Sequence, residues 1–270
     1  MSCLGELVCV GLGLYSERDM SLRGIEEART AQIVFAELYT SLMPELNQAK
    51  LEKLVENRVK VLSRRDLEEE EGRKIFEAAE KGKTVLLVPG DPLIATTHVD
   101  LRIRAERRGI KTRVVHGASI ISAVIGLSGL QNYKYGRSVT IPFSNQGLVS
   151  ATPYNVIKEN KKTGLHTLCF LDIKAEEKRY LTVQEGLRAL LKVEMQKHKR
   201  VVTSNTIAIG IARAGSSNPS VKADSVKHLL RFDFGSPPHS LVFPGALHFM
   251  EAEALVTLAE APESVKRMVK

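Results

Sequence analysis

Four groups of residues in this chain have types and spacing that could carry chemistry. Gly11-Leu12-Gly13 follows a short apolar run, and Glu37 ends a later one. Glycines after a first strand with a carboxylate after the second would suit a dinucleotide, with the pyrophosphate resting on a helix N-terminus. Asp91 lies in Pro89-Gly90-Asp91-Pro92, a turn stiffened by two prolines, where a carboxylate could cap the turn or meet a ligand. Ser119, in Gly117-Ala118-Ser119-Ile120-Ile121, could be a nucleophile if it sat on a sharp elbow. His98, His116 and His239 could serve as bases or metal ligands.

Most of these readings weaken against the surrounding residues. The third glycine of the dinucleotide fingerprint is replaced by Ser16, and Glu17 and Arg18 follow, so the helix starts too late to hold a pyrophosphate. Ser119 lacks the second glycine of a nucleophile elbow and reads better as a helix N-cap. The histidines have no metal-ligand spacing, and no metal site is expected. Asp91 is left as the residue with the clearest position: the end of a buried strand, facing the start of the next helix.

The elements that position it alternate. Strands are expected over Glu6–Leu12, Ile33–Ala36, Val59–Leu62, Thr84–Val88 and Thr112–Val115. Helices are expected over Ser21–Ala31, Asn47–Glu56, from the acidic run Glu68–Glu71 to Lys81, and from Leu93 to Arg108 with Gly109 past its end. Such alternation implies a parallel sheet with all its strand-to-helix loops on one edge, the edge where open sheets bind ligands. Gly11, Gly13, Asp91 and Ser119 collect there. After the apolar helix that follows Ser119 the pattern restarts. Strands are expected over Ser138–Ile141, His166–Leu171, Thr206–Ala212 and Ser240–Phe243, and helices over Tyr154–Lys162, Thr182–Lys197 and Glu251–Ala259. This divides the chain into α/β domains at 1–118 and 119–270.

The totals fit two globular domains: 270 residues, 43% hydrophobic and 26% charged. No apolar run approaches a membrane span, and the first residues enter a strand without a basic leader, so a cytoplasmic protein is expected. Cys9 and Cys169 fall in buried strands and, with Cys3, form no CxxC pair, which suits a reducing compartment. The net charge of +8 admits an acidic partner. The basic residues are scattered beside glutamates, so no nucleic acid is required.

Six segments carry a family resemblance: Gly11–Asp19, Phe35–Ser41, Pro89–His98, Leu165–Lys174, Ala212–Ser216 and Pro237–His239. Together they resemble the diphthine synthases, a branch of the tetrapyrrole methylase superfamily, in the family's order and across nearly the whole chain. The resemblance implies an N-terminal parallel sheet with flanking helices, a C-terminal mixed sheet, and a cofactor cleft between the two domains. It implies S-adenosylmethionine as cofactor, bound around Leu14, Asp91, Ile94, Ser119, Ile120, Leu171, Ala214 and His239. It implies as partner translation elongation factor 2, methylated on the amine of its aminocarboxypropyl-histidine during diphthamide formation, and it implies a homodimer. No catalytic acid or base is assigned. Ser16 departs from the family, where an acidic residue is expected, and that bears on substrate contacts.

Two other readings share the fold. A methylase of corrinoid or porphyrinoid rings would carry a Gly-Pro-Gly-Asp type loop after the first strand, where this chain has Leu14-Tyr15-Ser16. A binding module that has lost catalysis would have no need to retain Gly11, Gly13, Asp91 and His239.

Overall fold

A computed structural model describes residues 5–145 and 147–269, so Cys3 lies outside the described residues. The chain forms two compact units: residues up to Ile120 with Ala175–Glu177, and Ile121–Lys174 with the residues from Lys178 onward.

The first unit runs β1 (Glu6–Gly11), α1 (Leu22–Arg29), β2 (Ile33–Glu37), α2 (Gln48–Val55), β3 (Val59–Leu62), α3 (Arg64–Glu68), α4 (Arg73–Ala79), β4 (Lys83–Val88), α5 (Val99–Arg107) and β5 (Lys111–Val115). All five strands are parallel, in the order β3-β2-β4-β1-β5. Both faces of the sheet are covered, and for that reason the strands read as almost continuous apolar runs. Val8, Val10, Val34, Val85 and Leu87 pack with Ala28 of α1 and Leu51 and Val55 of α2. Alternate residues Leu7, Cys9, Phe35, Leu86 and Val88 pack on the other face with Ile75 and Phe76 of α4 and Leu101 and Ala105 of α5. Each such side chain contributes about 1.5–3 kcal/mol by leaving water. β1 and β4 lie side by side at the centre, and the next strand in sequence lies on opposite sides of the pair. Their carboxyl ends therefore form the sheet's switch point.

The second unit runs α6 (Ile120–Ser128), β6 (Val139–Ile141), α7 (Thr152–Lys162), β7 (Thr167–Leu171), β8 (Ile173–Lys174), β9 (Arg179–Tyr180), α8 (Val183–Lys197), β10 (Ile207–Ala212), β11 (Ser220–Ser225), α9 (Val226–Leu229), β12 (His239–Phe243) and α10 (Phe249–Leu258). Its main sheet is mixed, in the order β11-β10-β12-β7-β6, with only β6 and β7 parallel. α8 supplies Val183, Leu187, Leu190 and Val193 to its core, starting from a Thr182–Glu185 capping box.

Three expectations are corrected. The helix after β4 begins at Val99, not Leu93. Asp91 and Thr96 bond to nearby backbone, and Ala95 sits in the left-handed region at φ 57°, so residues 92–98 form a loop. The acidic run Glu68–Glu71 does not open a helix. It ends α3, and the positive φ of Glu71 and Gly72 separates α3 from α4. The short pair β8–β9, the edge strand β11 and α9 were absent from the expected elements. Two-residue strands and a half-polar edge carry too little periodicity to be read.

One buried charge organises the end of the second unit. Glu251, fully buried in the first turn of α10, accepts N–H bonds from Gln131 and His248, at 2.8 and 2.7 Å, and from the Lys134 ammonium. His166 donates to it through Nε2 at 2.9 Å, while its Nδ1 accepts the Gly245 N–H. Burial pushes the Glu251 carboxyl up, but the His248 N–H, Lys134, Gln131 and His166 outweigh it and hold it at about 2. The folded value lies below the ordinary 4.5, so this stabilisation is complete above pH 4.5 and is lost as pH falls toward about 2. Replacing Glu251 with Ala is expected to cost about 3 kcal/mol at neutral pH, because Lys134 and His166 lose their partner. It should also flatten the acid limb of stability. Urea unfolding at neutral and acid pH measures both, and equal stability of the two proteins at pH 7 contradicts the assignment.

Candidate active site

The candidate residues of the first unit lie on three adjacent loops, after β4, β1 and β5. The loops are fixed by backbone packing of three glycines. A Cβ on Gly11 would sit 2.5 Å from the Gly90 carbonyl oxygen and 2.6 Å from the Gly117 nitrogen. A Cβ on Gly117 would sit 2.4 Å from the same carbonyl. Gly13 and Gly90 also exchange N–H···O bonds, at 3.3 and 2.6 Å, which ties the first loop to the second. Leu14, Asp91 and Ser119 are therefore held at neighbouring positions on one edge.

The loop after β1 is built by its own polar residues. Ser16 is buried and caps a short 3-10 turn, and Asp19 accepts the N–H groups of Tyr15, at 2.7 Å, and Ser16, at 3.1 Å. Buried Glu17 accepts the Asn47 N–H at the start of α2. These carboxylates hold the backbone of the loop. The serine found at position 16 is a cap, and α1 begins only at Leu22, which leaves no helix N-terminus beside Gly13 for a pyrophosphate.

Asp91 is buried, and its carboxylate spans the loops. Oδ1 accepts the Leu93 N–H at 3.0 Å, and Oδ2 lies 2.7 Å from Nδ1 of the exposed His116 beyond β5. Each oxygen keeps a second lone pair for a ligand. Gly90, at φ 71°, faces open space: the nearest atom to a Cβ there would be the Ala118 oxygen at 3.9 Å. A ligand could thus lie against bare backbone beside Asp91. Half-buried Leu14 and Ile120 and 40%-exposed Ile94 supply apolar surface on the same loops. Ser119, half-buried, immediately precedes α6.

Glu37 is not placed to bind a ribose. It is fully buried at the end of β2 and accepts bonds from the Tyr39 and Thr40 N–H groups and the Thr40 hydroxyl. Burial pushes its carboxyl up to about 7. His98, also buried, places Nε2 3.8 Å from it and bonds through Nδ1 to the Pro92 carbonyl. Burial lowers the His98 pKa, so the ring is neutral at pH 7 and pins the 92–98 loop from behind.

In the second unit, Leu171, Ala214 and His239 lie on one edge, where β7 and β10 end and β12 starts. Leu171 turns its side chain into the core, leaving its backbone for any ligand. Buried His239 uses both ring nitrogens: Nδ1 accepts the Val183 N–H at 3.2 Å, and Nε2 donates to the Gly235 carbonyl at 3.1 Å. Burial lowers its pKa, keeping it neutral and tying the loop before β12 to the start of α8. Arg213, which the sequence reading passed over, joins the same edge. Its N–H bonds to the Pro238 carbonyl at 2.8 Å, and its guanidinium bonds to the carbonyls of Phe234 and Ser236. Half-buried Ala214 follows it directly.

Among the described residues, no group of three or more His, Cys, Asp or Glu side chains could hold a metal ion. Cys9 and Cys169 are free and buried.

Comparisons with known proteins converge on one family. Residues 6–229 match the family of tetrapyrrole (corrin/porphyrin) methylases. The chain is 48% identical to a diphthine synthase of Methanosarcina mazei, over 98% of this chain and 100% of that one. It is 47% identical to a diphthine synthase of Methanothermobacter thermautotrophicus, over 97% and 99% of the two chains. A crystal structure of a diphthine synthase superposes with a TM-score of 0.88 at 42% identity, covering 98% of this chain and 100% of that one.

Asp91 is the sharpest test of the edge. Asp91→Asn keeps the shape and an acceptor for Leu93 but removes the charge. A hydrogen bond to a charged group contributes about 1.5–3 kcal/mol, so S-adenosylmethionine should bind roughly 10- to 100-fold more weakly. The melting temperature without ligand should change little. Calorimetric titration decides it: unchanged affinity with a markedly lower melting temperature makes Asp91 a residue of the turn alone.

Proposed function

The chain belongs to the tetrapyrrole methylases and, within them, to the diphthine synthases, and from that premise we propose how it acts and on what. It is a methyltransferase that uses S-adenosylmethionine and acts on a protein in diphthamide biosynthesis. The substrate we propose is the aminocarboxypropyl-histidine of translation elongation factor 2, methylated on its amine. The observation that carries the reading is similarity over the full length of the relatives, with the quoted motifs falling on the strand-end loops.

The residues present suit the cofactor. The uncrowded Gly90 backbone, an adjacent carboxylate and the apolar surface of Leu14, Ile94 and Ile120 match a ligand with a positive charge and a flat aromatic ring. Bound there, S-adenosylmethionine supplies a methyl group on a sulfonium, an already good leaving group. We propose that Asp91 complements that charge. Leu14, Ile94, Ser119 and Ile120 in the first unit, and Leu171, Ala214 and His239 in the second, provide the remaining contacts. His239 acts through the loop it holds, since both its nitrogens are engaged.

The chain needs little acid–base machinery for this step. The amine must shed its proton before it attacks: a chain-terminal α-amino group, with a pKa of about 7.7–8.0, does so at a cost of about 1 kcal/mol at pH 7, and the free carboxylate beside the arm's amine raises that cost. Correct placement can lower the barrier by roughly 7–11 kcal/mol. Rigid loops that orient the amine and exclude water therefore matter more than a general base. The neutral His98 and His239 are consistent with this, because each is spent on holding a loop.

We also propose that the protein is a homodimer. Half-exposed Ile121, Ile125 and Leu127 on α6, and exposed Phe249, Met250 and Leu258 on α10, leave apolar surface for a second copy. No helix among the described residues is long and apolar enough to cross a membrane.

Incubation with labelled S-adenosylmethionine and either elongation factor 2 carrying the aminocarboxypropyl-histidine or precorrin tests the reading. Label on the protein and none on precorrin is expected. Label on precorrin alone makes the chain a ring methylase, and label on neither makes it a binding module.

A further inference from the structure

A hollow of about 760 Å³ opens in the second unit, lined by Lys178, Arg179, Arg188 and Arg231 and by Tyr180 and Phe232. The four basic side chains are exposed. Lys178, Arg188 and Arg231 have no ion-pair partner among the described residues. Arg179 stacks over the Phe143 ring at 4.4 Å. The two carboxylates on the rim are occupied by their own backbone. Glu185 closes the capping box of α8, and Asp233 accepts the Gly235 N–H at 2.8 Å. With four basic side chains against these two carboxylates the hollow is net positive, and Gln184 ties its wall together by donating to the Phe232 carbonyl at 2.6 Å.

The hollow also borders the edge that carries Leu171 and His239. Thr182 on its wall precedes Val183, whose N–H is bonded to His239. The Leu181 N–H bonds to the carbonyl of Asp172, the residue after Leu171. Whatever fills the hollow therefore lies next to the candidate site of this unit.

We infer that this hollow is the docking site for an acidic segment of the protein substrate. The inference rests on the proposed function, which requires a protein substrate, and adds where and by what chemistry it is held. Charge complementarity selects an acidic chain, and the cup has room for a few peptide residues. Nucleic-acid phosphates would meet the same charges, and the protein substrate of the proposed function selects an acidic peptide segment.

The double variant Arg188→Glu, Arg231→Glu tests it, with Arg188→Ala, Arg231→Ala as a milder second variant should the reversal fold poorly. Binding of elongation factor 2 carrying the aminocarboxypropyl-histidine is measured directly by calorimetry, so the result does not depend on turnover. The reversal should weaken binding about tenfold or more and reduce its salt dependence, with S-adenosylmethionine affinity unchanged. Where turnover is seen, KM for the protein should rise while kcat holds. Unchanged protein affinity in both variants overturns the inference. So does tighter binding of single-stranded oligouridylate than of the protein, lost in the variants. A wild-type chain that binds the protein through the hollow yet transfers no methyl group would instead overturn the functional reading.

Discussion

Gly11, Gly90 and Gly117 meet backbone to backbone at the carboxyl ends of β1, β4 and β5, and there is no room for a methyl group on Gly11 or Gly117. The parallel sheet brings these strand ends within reach of one another, and its switch point is where a ligand can approach bare backbone. The close packing sets the height of all three loops at once. It places the Asp91 carboxylate across to His116, and leaves Gly90 facing open space on the side away from the contact. The Gly13–Gly90 bonds continue the constraint outward, so Leu14 emerges from a loop already fixed on both sides.

The titratable groups near these loops follow from the same economy. His98 and His239 are buried and neutral: His239 holds its loop with both nitrogens, and His98 holds its loop through Nδ1, with Nε2 3.8 Å from the Glu37 carboxyl. Glu17, Asp19 and Glu37 each commit one oxygen to backbone N–H groups, and Glu37 gives its other to the Thr40 hydroxyl. A site made this way is rigid and electrostatically quiet. That suits a displacement in which the leaving group is already activated and placement outweighs the cost of deprotonating the nucleophile.

Much of this was legible in the sequence for physical reasons. The first unit's strands are buried on both faces, so Leu7–Val10 and Val85–Val88 are uninterrupted apolar runs that periodicity identifies at once. The Pro89–Pro92 turn is marked by residues that can do little else. Side-chain bonds to backbone were not legible. Thr96 and His98 both bind the Pro92 carbonyl and keep residues 92–98 out of a helix whose composition favours one. The second unit hid more, since β8, β9 and β11 are short or edge elements with weak patterns. Its holding residues, Arg213 and Glu251, reveal themselves only through partners far along the chain. Nor does the sequence mark the packing of Gly117 against Gly11, which lie far apart along the chain.

The central claim is that the cofactor lies on these strand-end loops. Amide hydrogen exchange of the wild-type protein with and without S-adenosylmethionine tests it without altering a residue. The account predicts added protection in residues 11–15, 90–98 and 116–121 of the first unit and in 171–174, 212–216 and 235–239 of the second, with no change on adding NAD. Protection confined to other segments, or an equal response to NAD on the Gly11–Tyr15 loop, would contradict it.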